Sequence, residues 1–263
     1  MDDYSDFNRA RWDALAAADV EWSRPHLDLD TVTARQGIDP YGVMGDVQGK
    51  RVLCLASGGG QQSAAFAVLG AHVTVLDFSE QQLAKDRVAL AHYQVEGALV
   101  QGDMRDLSQF EPASFDVVWH AFSINFVADS GVVFDQVQRV IRPGGLYRMQ
   151  WHNPFSVGVE ESDWNGNGYS VKRRYQDGEV QFDTPNWVIT YEDGSTREVE
   201  GPREFNHTLS TVINGLCRRG FVLLGFWEEL GWNPDAEPGT WDHLNAMFPP
   251  WFTIWARYQP AHL

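Results

Sequence analysis

From Lys50 onward the chain repeats one rhythm: a short apolar run, a turn, then an amphipathic stretch. RVLCLA (51–56) is apolar at nearly every position, as a strand covered on both faces should be. SGGG follows, and residues 61–69 carry Ala64, Ala65, Val68 and Leu69 at helical spacing. HVTVLD (72–77) predicts a second strand. Ser79, with Gln82 three residues on, resembles a capping box that opens a helix through about Tyr93. ALVQGD (98–103) and FDVVWHAF (115–122) predict strands three and four. Val133, Val137, Val140 and Ile141 mark one face of a helix over 132–141. RPGG (142–145) stops it and turns the chain into a fifth strand, LYRMQWH (146–152).

Residues 153–206 break this rhythm and are rich in Gly, Asn, Asp and Trp. Within them, WVITYEDGSTREVE (187–200) reads as a hairpin around Asp193-Gly194. Alternation resumes with a helix over 209–219, ended by Gly220, and a sixth strand, FVLLGFWEE (221–229). After a loop with Pro234, Pro238, Pro249 and Pro250 comes a seventh, WFTIWARY (251–258), which pairs with the sixth as an antiparallel edge. Ahead of the whole region, Phe7, Ala10, Arg11, Leu15 and Ala18 line one side of a helix over 6–18. Alternating strands and helices predict an α/β fold: a Rossmann-like, seven-stranded, mostly parallel sheet with helices on both faces and an antiparallel last strand. Residues 153–206 are then a cap inserted between strands five and six, above the strand ends where such sheets bind ligands. The organisation expected is a helix and loop at 1–49, a core at 50–152, the cap at 153–206, and the rest of the core sheet at 207–263.

A chain of 263 residues makes one large domain, or one domain with an inserted cap. Twenty basic against 36 acidic residues give a net charge of −16, which argues against a nucleic-acid partner and against anionic membranes. It favours a neutral or cationic partner. The one basic run, Lys172-Arg173-Arg174, is expected to be solvated surface. Cys54 and Cys217 sit in no CxxC or Cys/His cluster, and both are expected to be free, buried thiols in a reducing compartment. The acidic MDDYSDFNRARW start lacks an apolar signal core, and no apolar run reaches the roughly 18 residues of a membrane span. A cytoplasmic location is expected.

The chemistry concentrates at LCLASGGGQQS, where a strand runs through glycines into a helix. Glycines allow a ligand close to the backbone, and a helix N-terminus offers free N–H groups. Asp77 ends the second strand, 19 residues beyond Gly58, where a carboxylate can accept both hydroxyls of a ribose. Asp103 ends the third strand, placed to accept from an adenine amino group while Met104 covers the ring. The dinucleotide fingerprint is incomplete, because Ser63 stands where its third glycine belongs.

With these strings, and with SFDVVW (114–119), RPGGLY (142–147) and HTLSTVINGLCRRGF (207–221), the sequence resembles the class I S-adenosylmethionine (SAM)-dependent methyltransferases, in particular those acting on small molecules. The resemblance covers about residues 50–152 and 205–258. It implies SAM as cofactor. Ala56, Ser57, Gly58, Gly59 and Gly60 would pass under its methionine and ribose, and Asp77 would hold the ribose. Phe78, Asp103 and Met104 would surround adenine, with His120 and Ala121 on the sulfonium side. The helix at 6–18 would act as a lid. Two departures stand out: the family usually carries an acid where Cys54 stands and often a glycine where Ala56 stands.

Methyl transfer is an in-line displacement, so alignment and water exclusion carry most of the burden. A base is needed only for an acceptor that is protonated at neutral pH. His152, at the end of strand five, is the expected base. His120 and His207 are further candidates, with Trp151, His152 and His207 expected to contact the acceptor. No His/carboxylate spacing suggests a metal. Of the eleven tryptophans, Trp151, Trp164, Trp187, Trp232 and Trp241 fall in or near the cap and loops, and two or more should line the acceptor pocket. A monomer or homodimer acting on a small-molecule acceptor is expected. A nucleotide-dependent oxidoreductase and a non-catalytic SAM-binding protein remain the alternatives.

Overall fold

The computed structural model describes residues 3–191, 193–229, 233 and 235–260. Two helices, α1 (Asp3–Ala17) and α2 (Thr31–Ile38), precede the sheet. Then come β1 (Arg51–Leu55), α3 (Gln62–Val68), β2 (His72–Asp77), α4 (Glu80–Tyr93), β3 (Gly97–Gln101), β4 (Phe115–Phe122), α5 (Ser130–Val140) and β5 (Ile141–His152). The insertion holds β6 (Gly178–Val180), β7 (Asn186–Thr190), β8 (Thr196–Glu200) and β9 (Glu204–Asn206). The chain returns to the core through α6 (Leu209–Cys217), β10 (Phe221–Glu229), α7 (Trp241–Met247) and β11 (Trp251–Tyr258).

Seven strands form one sheet in the order β10-β11-β5-β4-β1-β2-β3, with β11 antiparallel to both of its neighbours and β1 to β5 parallel. This is the Rossmann-like architecture expected, with the insertion between the fifth and sixth sheet strands in chain order. The chain steps outward from β1 to β3 and then jumps back to place β4 beside β1, so a crevice opens at the carboxyl ends of β1 and β4.

Strand parity sorts the core. Leu53, Leu55, Val118, Tyr147, Met149 and Trp151 face one side and pack with Val133, Phe134 and Val137 of α5 and Val212 and Leu216 of α6. Val52, Cys54, Val117 and Trp119 face the other side, against Ala34 and Ile38 of α2, Phe66 of α3 and Leu83 of α4. A third cluster joins Leu15 and Ala18 from the N-terminal region to Ile189 and Val199 of the β7–β8 hairpin. The hairpin expected at 187–200 is therefore present, docked on the first helix.

Three local features differ from the sequence reading. Helix α2 lies in the stretch read as polar loop: the Asp30 carboxylate accepts from the Val32 and Thr33 N–H groups, and the Thr33 hydroxyl accepts from the Asp30 N–H. That reciprocal cap begins a helix whose buried face is only Ala34 and Ile38. Helix α7 lies in the proline-bearing loop, capped by the Thr240 hydroxyl; Pro234 of that loop lies outside the described residues. The Cys217 thiol is exposed, not buried, because it falls on the outer side of α6, whereas Cys54 is buried as expected.

Candidate cofactor and acceptor site

The first βα turn is shaped by two conformational facts. Ala56 adopts φ +45, the left-handed region where glycine is favoured, which gives a backbone reason for the glycine that the family resemblance leads one to expect here. A Cβ added at Gly58 would lie 2.6 Å from Gln82 Cβ and 3.1 Å from Asp77 Oδ2. Glycine thus leaves the carboxylate edge open. The Gly58 N–H donates to Asp77 Oδ2 (3.0 Å) and the Ser79 N–H to Asp77 Oδ1 (2.9 Å). Burial raises the Asp77 carboxyl to about 6 even against those hydrogen bonds, with the nearby Asp13 pushing the same way.

Gly59 and Gly60 behave differently from Ala56, Ser57 and Gly58, and this corrects the expectation for them. Their N–H groups point back into the protein, each donating at 3.1 Å to the Asp86 carboxylate of α4, which also accepts from Ser63 Oγ (2.5 Å). Neither glycine lines the cleft, whereas Ala56, Ser57 and Gly58 do. Asp86, missed in the sequence, is fully buried, and burial raises its carboxyl to about 7. It lies close enough to Cys54 to raise that thiol further, after burial itself. An acid thus stands beside the turn although Cys54 replaces the family's usual one, but it braces the loop and does not face the cleft. Its signal was a lone acid among apolar positions on the inner face of α4.

The neighbouring strand tips bring Asp77 and Asp103 to one end of the sheet: β2 and β3 pair in register up to Asp77–Gln101, and the Gly102 N–H donates to the Asp77 carbonyl (3.0 Å). Asp77, Phe78, Asp103 and Met104 all line the same cavity. Arg105 bonds both Asp103 oxygens (2.7–3.0 Å) and Ser5 Oγ adds a second partner at 3.1 Å. Burial works to raise the Asp103 carboxyl, but Arg105 outweighs it and the net shift is downward.

Helix α1 is fastened over this edge. Ser5 reaches Asp103, Tyr4 accepts from Arg105, and Asp13 accepts from Ser79 Oγ. Asn8 bonds the backbones of Phe126 and Arg203. The β7–β8 hairpin completes the roof, with the Trp187 ring held edge-on between Trp12 and Trp22 at 5.9 and 5.8 Å. Beneath it runs one cavity of about 1480 Å³, from Gly58 and Asp77 at one end to His152 and Glu204 at the other. Of the five tryptophans singled out in the sequence, Trp187 and Trp241 line it. Trp164 packs on Tyr169 and His243 instead, and Trp232 lies outside the described residues.

At the tips of β4 and β5, three residues expected in the site lie outside the cleft. On β5, Gln150 and His152 line the cleft, so Trp151 faces the opposite layer, fully buried against Phe226 and Phe252. On β4, Trp119 and Ala121 line the cleft and His120 faces away, its Nδ1 2.8 Å from the Tyr147 hydroxyl. Burial, with Arg148 nearby, lowers the His120 pKa to about 3, so it stays neutral. His207 is buried outside the cavity with Nε2 3.2 Å from the Ile124 carbonyl; burial and then its neighbour His152 lower its pKa. Lys172 and Arg174 of the basic run are exposed, as expected, while Arg173 is half-buried; Lys172 pairs with Asp163 and Asp183, and Arg173 bonds the Gly158 carbonyl, tying cap loops together.

A crevice at the switch point of a doubly wound sheet, with a carboxylate at each of two adjacent strand tips, is the place where such folds bind nucleotides. The comparisons narrow this. Residues 53–149 match the family described as a methyltransferase domain. The chain is 35% identical over 185 residues to the uncharacterized methyltransferase YbaJ of Bacillus subtilis (strain 168), covering 70% of this chain and 71% of that protein. It is 43% identical over 100 residues to the demethylmenaquinone methyltransferase of Clavibacter sepedonicus, spanning 40% of that relative's length and 38% of its own. A solved S-adenosylmethionine-dependent methyltransferase from Clostridium acetobutylicum has the same fold, with a TM-score of 0.61 at 16% identity over 98% of this chain and 100% of that one. Another, from Mesorhizobium loti, gives 0.58 at 19% identity over 88% and 100%. The chain belongs to the class I SAM-dependent methyltransferases. SAM is therefore its cofactor, and neither a nicotinamide-dependent nor a non-catalytic reading is retained.

Proposed function

We propose that this methyltransferase acts on a small molecule bound beneath the cap, at the tips of β4 and β5. The observation that carries the reading is the size and continuity of the cavity. Sites for one drug-sized ligand occupy about 300–1,000 Å³, and a cleft of about 1480 Å³ has room for a cofactor and a second molecule end to end. Several relatives support it, being named for quinone substrates: demethylmenaquinone methyltransferase and ubiquinone biosynthesis O-methyltransferase.

The residues fit the cofactor on the structure's own terms. Gly58 leaves room where a side chain would meet Gln82 and Asp77. In this reading Ala56, Ser57 and Gly58 carry the methionine and ribose portion, and Asp77 accepts the ribose hydroxyls. Phe78, Asp103 and Met104 enclose the adenine, and Ala121 lies on the sulfonium side. Bound SAM supplies an electrophilic methyl group. The protein orients the acceptor against it and excludes water, with α1 and the β7–β8 hairpin as the roof. His152, the base expected from the sequence, lines the acceptor side of the cavity beside Glu204.

A net charge of −16 and the ion-paired Lys172 and Arg173 argue against a nucleic-acid acceptor. No helix of the described residues is long and apolar enough to cross a membrane. With two unbridged cysteines, the protein suits the cytoplasm, as a monomer or homodimer. The test is formation of S-adenosylhomocysteine when the enzyme and SAM meet a library of small molecules. Turnover with one of them is expected; methylation confined to a protein or RNA fraction would overturn the proposal.

A further inference from the structure

Glu204 is a charged group of the cavity whose carboxylate accepts no hydrogen bond among the described residues. It lies on β9 at the return from the cap, about nine-tenths buried, and it lines the acceptor end. Parity on β9 turns Phe205 toward Tyr4, at 5.1 Å, and turns Glu204 and Asn206 the other way, toward His152. Among the described residues no hydrogen bond reaches the Glu204 oxygens; the one charged neighbour is His152 Nδ1, 3.8 Å away, too far for a hydrogen bond. The imidazole is fixed from its other side. Asn206 Nδ2 donates to the Gln176 carbonyl at 2.8 Å, which leaves Asn206 Oδ1 to accept from His152 Nε2 at 3.2 Å. On its other side the buried Nδ1, which has no hydrogen-bond partner, faces the carboxylate.

The Glu204 oxygens open onto the cavity, so a ligand that displaces water there must bring them a donor, and a buried ring nitrogen without a partner is costly. A ligand that brings a hydrogen-bond donor to Glu204 meets the first of these needs. The walls beside it are flat rings, with Phe122 6.4 Å from the His152 ring and 6.3 Å from Trp251. We infer that Glu204 is the acceptor-binding carboxylate of this methyltransferase, and that the acceptor carries its nucleophile as a proton-bearing hydroxyl or amine on a planar ring. The inference rests on the small-molecule reading above and deepens it. As the acceptor's oxygen or nitrogen forms its bond to the methyl carbon, its proton passes to a Glu204 oxygen. The electron pair of the breaking carbon–sulfur bond stays on sulfur, and the proton leaves for solvent with the product. His152 is a positioning residue, set behind the carboxylate. An anionic acceptor group at this end is disfavoured, since it would meet Glu204 with like charge and no donor.

The experiment compares phenol, benzylamine and benzoate binding to the full-length protein saturated with S-adenosylhomocysteine, by ligand-observed NMR or calorimetry. Phenol or benzylamine is expected to bind at least tenfold more tightly than benzoate, and Glu204→Gln to erase that preference while leaving S-adenosylhomocysteine affinity unchanged. Whichever of phenol and benzylamine wins tells hydroxyl from amine acceptors. His152→Gln should weaken the preferred probe less than Glu204→Gln does. In turnover it should lower kcat more than it raises KM. Equal or tighter benzoate binding, no binding of any probe, or an unchanged preference in Glu204→Gln would overturn the inference. Those outcomes leave the small-molecule reading intact as long as some library compound is methylated; if none is, that reading falls on its own.

Discussion

The two ends of the cleft are built on opposite plans. At the tips of β1 to β3 every carboxylate already has partners inside the protein: Asp77 holds the Gly58 and Ser79 N–H groups, Asp86 holds Gly59, Gly60 and Ser63, and Asp103 holds Arg105 and Ser5. At the tips of β4 and β5, beneath the cap, Glu204 opens onto the cavity with no donor, and His152 Nδ1 is buried with no partner, among the described residues. The first end is assembled before its ligand arrives, as suits a cofactor that never changes. The second leaves its polar groups for the ligand to satisfy, which makes a mismatched ligand expensive and turns buried charge into selectivity.

The contrast breaks most visibly at Asp77. Replacing it with Ala removes the carboxylate proposed to hold the ribose and strands two backbone donors. Two charge-assisted hydrogen bonds at about 1.5 kcal/mol each correspond to roughly a hundredfold. Calorimetry should show S-adenosylhomocysteine binding weakened by about that factor. A change of less than about fivefold would mean that the polar network is scaffold and not a binding site.

Asp86 sharpens the same contrast through stability. Asp86→Ala leaves the Gly59 and Gly60 N–H groups and the Ser63 hydroxyl unsatisfied in a closed core, a loss of about 3 kcal/mol, or a melting temperature roughly 5–10 °C lower. Asp86→Asn keeps one acceptor oxygen and should recover part of that loss. A melting temperature unmoved in Asp86→Ala would show that the loop holds its shape without the brace.

Much of this was readable in advance, and the gaps share one physical origin. The sheet was legible because a strand covered on both faces is apolar throughout, so RVLCLA and LYRMQWH announced themselves. The same uniformity hides parity: nothing in LYRMQWH says that His152 and Gln150 face the cleft while Trp151 faces α6, and nothing in FDVVWHAF turns His120 away from it. The acids at strand tips were legible because their position follows from where a strand ends. Asp86 and Glu204 were not, since each acts across a gap in sequence: 26 residues to Gly60 for Asp86, and a whole cap away from β5 for Glu204. Helix α2 was hidden because its cap, Asp30 with Thr33, opens a helix with only two buried positions.

A pH titration tests the cofactor end more gently. Asp77 in the free protein titrates at about 6, raised first by burial and next by the charge of Asp13 against the Ser79, Gly58 and Phe78 N–H groups. Ribose hydroxyls need the ionised form. Affinity for S-adenosylhomocysteine should therefore be full above about pH 7 and fall as pH drops through 6, by roughly tenfold at pH 5. The linkage runs the other way for the unliganded protein. Its folded state binds the proton more tightly than the unfolded chain, so this group's contribution to stability is lost as pH rises through about 6. Asp77→Asn should flatten both profiles. A pH-independent affinity in the wild-type protein would show that Asp77 is already ionised before the cofactor arrives.

The smallest expected effect asks which end the roof serves. Trp187 belongs to the inserted hairpin yet touches Trp12 and Trp22 from the N-terminal segment, so it spans the two plans. Edge-to-face pairs are worth about 0.5–1.5 kcal/mol each, and partial exposure of β7 trims that to about 1 kcal/mol for opening the hairpin in Trp187→Ala. The cofactor end keeps its own fastenings, Ser5 to Asp103 and Asp13 to Ser79, none of which passes through the hairpin. S-adenosylhomocysteine affinity should therefore change less than threefold. The KM of a methylated acceptor should rise about fivefold, and protease nicking between 186 and 200 should speed up. If cofactor affinity fell instead and the acceptor KM held, the hairpin would belong to the preassembled half, and the division between a finished and an unfinished end would lie along the hairpin and not between β1 and β4.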